Sequence, residues 1–158
     1  MAKITDDNKK ILLTAKGFKK LEEELADLST RGRKDVAKRL KDAIAYGDLS
    51  ENAEYDEAKN QQAFIEQRIA ILEEQIRSAE VVKEGKGDTA QIGSKVTLKS
   101  PDYEHEFVIV GSTEADSMSH KISNESPVGK AILGKKKGDT VMVKAPGGDF
   151  EYKILEIK

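Results

Sequence analysis

The chain contains no cysteine and no tryptophan. Without thiols it can have no disulfide framework, no thiolate zinc site and no cysteine nucleophile. Histidine is nearly as scarce, with only His105 and His120, too few for a histidine-based metal cluster or acid–base network. Any metal would therefore have to be held by carboxylates. No stretch approaches the roughly 18 apolar residues of a membrane span, and the opening MAKITDDNKK lacks the apolar run of a secretory signal. A cytoplasmic protein with no membrane partner is expected. An excess of one charge is also missing: 27 basic residues face 29 acidic ones, a net charge of −2 over 158 residues. Neither half of the chain has the charge of a bulk nucleic-acid or membrane binder.

What is present divides in two. The first half is built from Leu, Glu, Lys and Ala; the second is rich in Gly, Val, Thr and Ser and holds all three prolines. Such a shift marks a boundary, and the stretch from Val82 to Ala90, with KEGKGDT at its centre, has the glycine and charge content of a linker. The expected organisation is a helical region over 1–81, a linker over 82–90 and a second domain over 91–158.

In the first region Thr14 is a candidate helix N-cap. From Leu21 the apolar positions run Leu21, Leu25, Leu28, then Val36, Leu40 and Ala43, spaced by 3 or 4 except for one interval of 8 that contains Gly32. That interval reads as a stutter, a place near Thr30 to Arg33 where the helix is locally unwound or broken while its seam continues. A second series, Ala58, Gln62, Ile65, Ile69, Leu72, Ile76 and Ala79, alternates 4 and 3 without interruption. Two such seams joined by a short connection around Tyr46 to Ser50 predict an antiparallel coiled-coil hairpin. At about 1.5 Å per residue, some thirty residues of helix make a rod on the order of 45 Å long. The length serves reach, or else a dimerisation interface in which a second hairpin covers the exposed face.

Charge is segregated along this hairpin. Residues 31–41 carry Arg31, Arg33, Lys34, Lys38, Arg39 and Lys41 against only Asp35, whereas 48–57 carry Asp48, Glu51, Glu54, Asp56 and Glu57 with no base. Read locally, Asp48 caps the second helix, Glu51 completes a capping box, and the other acids favour the helix N-terminus. Read as chemistry, carboxylates at the end of a projecting rod are hard oxygen ligands suited to Mg²⁺, but two alone hold the ion weakly unless a partner supplies further ligands.

The string GDLSENAEYDEAKNQQAFIEQRI, Gly47 to Ile69, resembles the Gre family of bacterial transcript cleavage factors, whose tip motif is GDLSENAEY. The likeness extends to LTAKGFKKLEEEL at 13–25, SPVGKAILGKKKGDTV at 126–141 and the APGG turn at 145–148. The resemblance implies a factor, not itself an enzyme, whose second domain docks on bacterial RNA polymerase while its hairpin enters the secondary channel. There it stimulates the polymerase's own cleavage of a backtracked RNA 3′ end. It further implies that Asp48 and Glu51 are the catalytic and metal-binding carboxylates, completing the coordination of an Mg²⁺ ion shared with the polymerase and not held stably by the free protein. Asn52, Tyr55 and Lys59 are then contacts to RNA or to the active centre, although Tyr55 is equally a candidate for hairpin packing. Ser123, Glu125 and Pro127 become docking contacts, although as residues they read simply as a loop and helix cap. No small-molecule substrate is implied. One departure from the family pattern is Ile44, where relatives commonly carry arginine; its loss would remove about one phosphate contact.

In the second domain SKVTLKS, HEFVIVG, DTVMVKA and DFEYKILEI read as strands, with a hairpin turn at Pro146–Gly148. SPVGKAILG reads as a short helix with Ser126 as N-cap, Pro127 at the first position and its end at Gly134. The fold expected overall is α+β, an N-terminal antiparallel coiled-coil hairpin followed by a small antiparallel sheet with a short helix; the resemblance implies an FKBP-like form for the latter. Peptidyl-prolyl isomerase activity is disfavoured, because Tyr103, Phe107, Phe150 and Tyr152 suffice only for a small core. A coiled-coil chaperone would present apolar residues at its tip, and a free-standing nuclease would carry a fuller set of metal ligands. A channel-binding inhibitor of the same family is the nearer alternative.

Overall fold

The computed structural model describes residues 10–47, 52–83 and 87–158. The chain forms two compact units, one holding the chain up to Phe18 together with Ala79–Lys158, the other Lys19–Ser78.

The second of these is helical. Helix α1 (Ala15–Asp27) runs into a five-residue π-helical turn, Leu28–Gly32, and on into α2 (Arg33–Ala45); α3 (Ala53–Arg77) returns alongside. The predicted stutter is this π turn. An i→i+5 turn takes more residues per revolution than an α turn, which is how Val36 returns to the seam eight residues after Leu28. Val36, Ile65 and Ile69 form its buried centre with Leu25 and Leu28 against it, and Ala43, Ala58 and Leu72 are buried along the same seam. Polar ties flank it: Arg33 grips Glu66 through two bonds of 2.8 and 2.7 Å, Arg68 grips Glu24 through bonds of 2.6 and 2.9 Å, and Arg39 donates to Gln61 at 2.6 Å. Helix α3 stops at Arg77, so Ala79 ends up in a strand instead of closing the helical seam as expected.

That strand, β2 (Ala79–Val82), pairs in parallel with β1 (Ile11–Thr14), in register from Ile11 opposite Ala79 to Thr14 opposite Val82. Residues 11–14 and 79–82 thus belong with the sheet unit, which shifts the expected division at 81. Ala90, expected at the end of a linker, is buried; its N–H donates to the Lys135 carbonyl and its own carbonyl accepts from Gly134, both at 2.8 Å.

The main sheet contains β3 (Lys95–Lys99), β4 (Glu104–Val110), β5 (Lys121–Ser123), β6 (Thr140–Ala145) and β7 (Gly148–Ile157) in the order β5-β4-β3-β7-β6. It is mixed, not wholly antiparallel: β5 runs parallel to β4 after a crossover through the short turns Ser112–Glu114 and Ser117–Ser119. β6 and β7 are joined by a turn at Pro146–Gly147, one residue shorter than the expected Pro146–Gly148 turn because Gly148 already opens β7 opposite Ala145. Val96, Leu98, Ile109, Val141, Val143 and Ile154 pack with Ile132 of α4 (Pro127–Ile132) in one aliphatic core. Of Tyr103, Phe107, Phe150 and Tyr152, Phe107 and Tyr152 pack on this core, whereas Tyr103 and Phe150 are exposed. The sheet interior is therefore even less aromatic than expected.

Candidate functional site

The end of the helical hairpin is built from both sides. α2 terminates as a C-cap argument requires: Gly47 adopts φ +95°, a left-handed conformation that a residue with a Cβ resists, and its N–H donates to the Ile44 carbonyl at 3.1 Å. On the other side Asn52 is the N-cap of α3. Its Oδ1 accepts from the Tyr55 N–H at 3.1 Å, and its Nδ2 donates across the hairpin to the Ala43 carbonyl at 2.8 Å. One side chain thereby satisfies an orphan donor at the start of α3 and an orphan acceptor near the end of α2. Asp48 is consequently not the cap of α3, and the capping box suggested at Asp48 and Glu51 is replaced by Asn52 with Tyr55 three residues on.

Asp48, Leu49, Ser50 and Glu51, including both expected metal-binding carboxylates, lie outside the described residues. What is described is their frame, with Gly47 and Asn52 fixed on either side. Beyond it Glu54 and Asp56 occupy the first turn of α3, where the helix dipole favours negative charge. Arg39, Asp42, Tyr46, Glu54, Glu57 and Ala58 line a shallow cleft of about 310 Å³. Among the described residues no group of three or more His, Asp or Glu is arranged to hold a metal ion.

The other expected tip residues separate by role. Asn52 is structural in the manner just described. Tyr55 is half-buried and serves the cap through its N–H, while Lys59 is exposed and reaches the Gln62 Oε1 at 3.3 Å. Ile44 is 53% exposed and Tyr46 80% exposed. Tyr46 is a feature that sequence reasoning assigned only to the connection; its place immediately before a helix-ending glycine is the signal that could have marked it as exposed.

The second expected site lies in the sheet unit and is treated by itself. Ser123 ends β5, and its hydroxyl accepts from the Glu125 N–H at 3.0 Å while its carbonyl accepts from the Ser126 hydroxyl at 2.7 Å. Ser126 caps α4 by accepting from the Gly129 N–H at 3.0 Å, with Pro127 at the first helical position. Gly129 is required, because a Cβ there would run into the Ser123 carbonyl. Ser123 is thus an internal brace, and Glu125 and Pro127 are the exposed members of the loop.

Among the described residues no helix is long and apolar enough to cross a membrane. Together these features define a helical-hairpin protein with Glu54 and Asp56 in the first turn of its returning helix, joined to an α+β unit with a capped surface loop. Residues 11–81 match the family profile described as "Transcription elongation factor, N-terminal", and residues 84–158 match "Transcription elongation factor, GreA/GreB, C-term". The chain belongs to the GreA/GreB family of transcription elongation factors. It is 54% identical over 154 residues to the transcription elongation factor GreA of Clostridium acetobutylicum, spanning 95% of this chain and 98% of that one. It is 55% identical over 155 residues to the GreA of Thermoanaerobacter pseudethanolicus, spanning 96% and 99%. Among solved structures, GreA factor homolog 1 of Thermus thermophilus aligns at 29% identity over 95% of this chain and 99% of that one, with a TM-score of 0.45.

Proposed function

We propose that this elongation factor binds bacterial RNA polymerase and reaches the catalytic centre with its hairpin end. There it stimulates the polymerase's own hydrolysis of backtracked RNA, so that a halted complex regains a usable 3′ end. The observation that supports the reading is the frame around residues 48–51: a left-handed Gly47 and a doubly bonded Asn52 bound a four-residue connection whose sequence carries two carboxylates, Asp48 and Glu51.

Carboxylate oxygens are the donors that Mg²⁺ prefers, and two of them complete a coordination sphere without constituting one. Asp48 and Glu51 would hold the ion jointly with ligands from the polymerase; the ion's contribution is to polarise the scissile phosphate and lower the pKa of an attacking water. The factor's own contribution is charge, position and the exclusion of competing geometries. On this reading it is not an enzyme on its own. Asn52 maintains the frame, Tyr55 and Lys59 stand near the RNA, and docking is made by the loop bearing Ser123, Glu125 and Pro127.

The test is to add the protein to a halted, backtracked elongation complex with Mg²⁺ and resolve the RNA. Shortened RNA with a new extendable 3′ end supports the proposal. Binding without shortening identifies an inhibitor instead, and cleavage of naked RNA identifies a nuclease.

A further inference from the structure

The end of α2 carries one aromatic side chain that neither the packing of the helical unit nor the proposed metal chemistry uses. Tyr46 closes the helix with φ −73° and ψ −9°, and its N–H donates to the Ala43 carbonyl at 3.3 Å. The same carbonyl accepts from the Asn52 amide at 2.8 Å, and the N–H of Gly47 donates to the Ile44 carbonyl at 3.1 Å. The backbone at Tyr46 is thus held from α2 and from the cap of α3, while its side chain stands 80% exposed. Among the described residues its ring meets no other ring and its hydroxyl no hydrogen-bond partner. Tyr55, by contrast, is half-buried. A tyrosine ring held outward on a fixed backbone offers a large contact surface at little further cost in ordering.

Two properties of its surroundings narrow what the ring meets. Asp48 follows by two residues, so along any path of the chain the two Cα atoms lie within about 7 Å. On the functional reading proposed above, on which this inference rests, Asp48 meets an ion at the scissile phosphate, and the nucleotides flanking that phosphate come within reach of Tyr46. The ring also borders the cleft of about 310 Å³ that Asp42, Glu54 and Glu57 line against a single base, Arg39, which donates to Gln61 at 2.6 Å. Three carboxylates repel a phosphate there, so the part of a nucleotide able to approach the ring is its uncharged base. Unpaired RNA bases stack on exposed aromatic rings, and the contact tolerates any sequence because every base has a π-face. We infer that Tyr46 is an RNA-binding residue: its ring stacks on an unpaired base of the backtracked 3′ segment and so steadies the neighbouring phosphate for hydrolysis.

The test uses the full chain on a halted, backtracked elongation complex whose RNA carries 2-aminopurine at each extruded position in turn. An Asp48→Asn background keeps the RNA intact during the measurement. Stacking on the ring is expected to quench the fluorescence at one position when the factor carries Tyr46 or Tyr46→Phe, and to leave it unquenched with Tyr46→Leu. In the factor with Asp48 restored, Tyr46→Leu is expected to cleave about tenfold more slowly than the parent, with Tyr46→Phe close to the parent and all melting temperatures alike. An abasic nucleotide at the quenched position should remove the difference, so that parent and Tyr46→Leu cleave at the same reduced rate. Equal quenching by Tyr46→Leu overturns the inference. An undiminished tenfold loss on abasic RNA overturns it too, and assigns the ring to a polymerase side chain instead. Fluorescence needs no cleavage: a parent that binds and quenches without shortening RNA sinks the cleavage reading alone, and one that cleaves without a Tyr46-dependent quench sinks this inference alone. Absence of binding sinks both.

Discussion

At the scale of residues, the most consequential side chain described is Asn52, because its amide is used at both ends. Asn52→Ala removes the cap and the bond to Ala43, and is expected to destabilise the helical unit by about 1–3 kcal/mol, a cap plus one partly buried hydrogen bond. Asn52→Asp keeps the cap and loses only the donor to Ala43, so it should cost less; chemical denaturation of the two variants checks the order. Glu66 supplies a pH prediction. Its paired bonds from Arg33 hold its carboxyl below the usual glutamate range. A depressed folded-state value means that the ionised pair stabilises above the ordinary value near 4.5, and that this is lost as pH falls through the lower folded value. Melting temperature should therefore fall more steeply for the parent than for Glu66→Gln below about pH 4.5. Thr14 and Ser126 were legible as caps because each precedes a clear helical pattern. Asn52 was not, because Asp48 and Glu51 offer the acid spacing of a capping box a few residues earlier, whereas Asn52 has Tyr55 where a box would have Glu or Gln.

At the scale of elements, the break in the first apolar series was readable because an interval of eight with a glycine inside cannot stay on an ideal α-helical seam. Its form, a π turn over Leu28–Gly32, follows from the need to keep Leu25, Leu28 and Val36 on Ile65 and Ile69. Deleting Thr30 shortens the Leu28–Val36 interval to seven residues, which an ordinary α-helix returns to the same side within about 20°, so the turn should become regular helix with its seam kept. Deleting Thr30 and Arg31 together should rotate the preceding seam by about 100° more, with an expected loss of about 2 kcal/mol or more from uncovered leucines, visible in thermal melts, while the single deletion is mild. The strands that escaped the sequence reading, β1, β2 and β5, are three or four residues long, too short for a period of two to register. Two of them pair in parallel with each other across 68 positions of sequence, and no local pattern encodes such a pairing. The longer strands and the Pro146–Gly147 turn were legible because alternation and turn chemistry are local. Since β5 fixes Ser123, the proposed docking loop was legible as residues but not as a strand end.

At the scale of the whole molecule, two units with separate cores imply separable effects. Ile69→Ala should cost the helical unit about 2–5 kcal/mol without disturbing the sheet core, and substitutions at Glu125 or Pro127 should weaken polymerase binding while leaving the maximal cleavage rate intact. The two-part organisation was legible from the change in composition, but its exact division was not, because β1 precedes the helices in sequence and belongs with the sheet. The functional assignment depends on the hairpin end supplying carboxylates and the other unit supplying attachment. The direct measurement is RNA cleavage by Asp48→Asn and Glu51→Gln at saturating concentration, alongside their affinity for the halted complex. Each variant is predicted to bind as the parent does and to cleave about 100-fold or more slowly, a loss of about 2.7 kcal/mol of transition-state stabilisation. Parent-like cleavage by either variant would contradict the account.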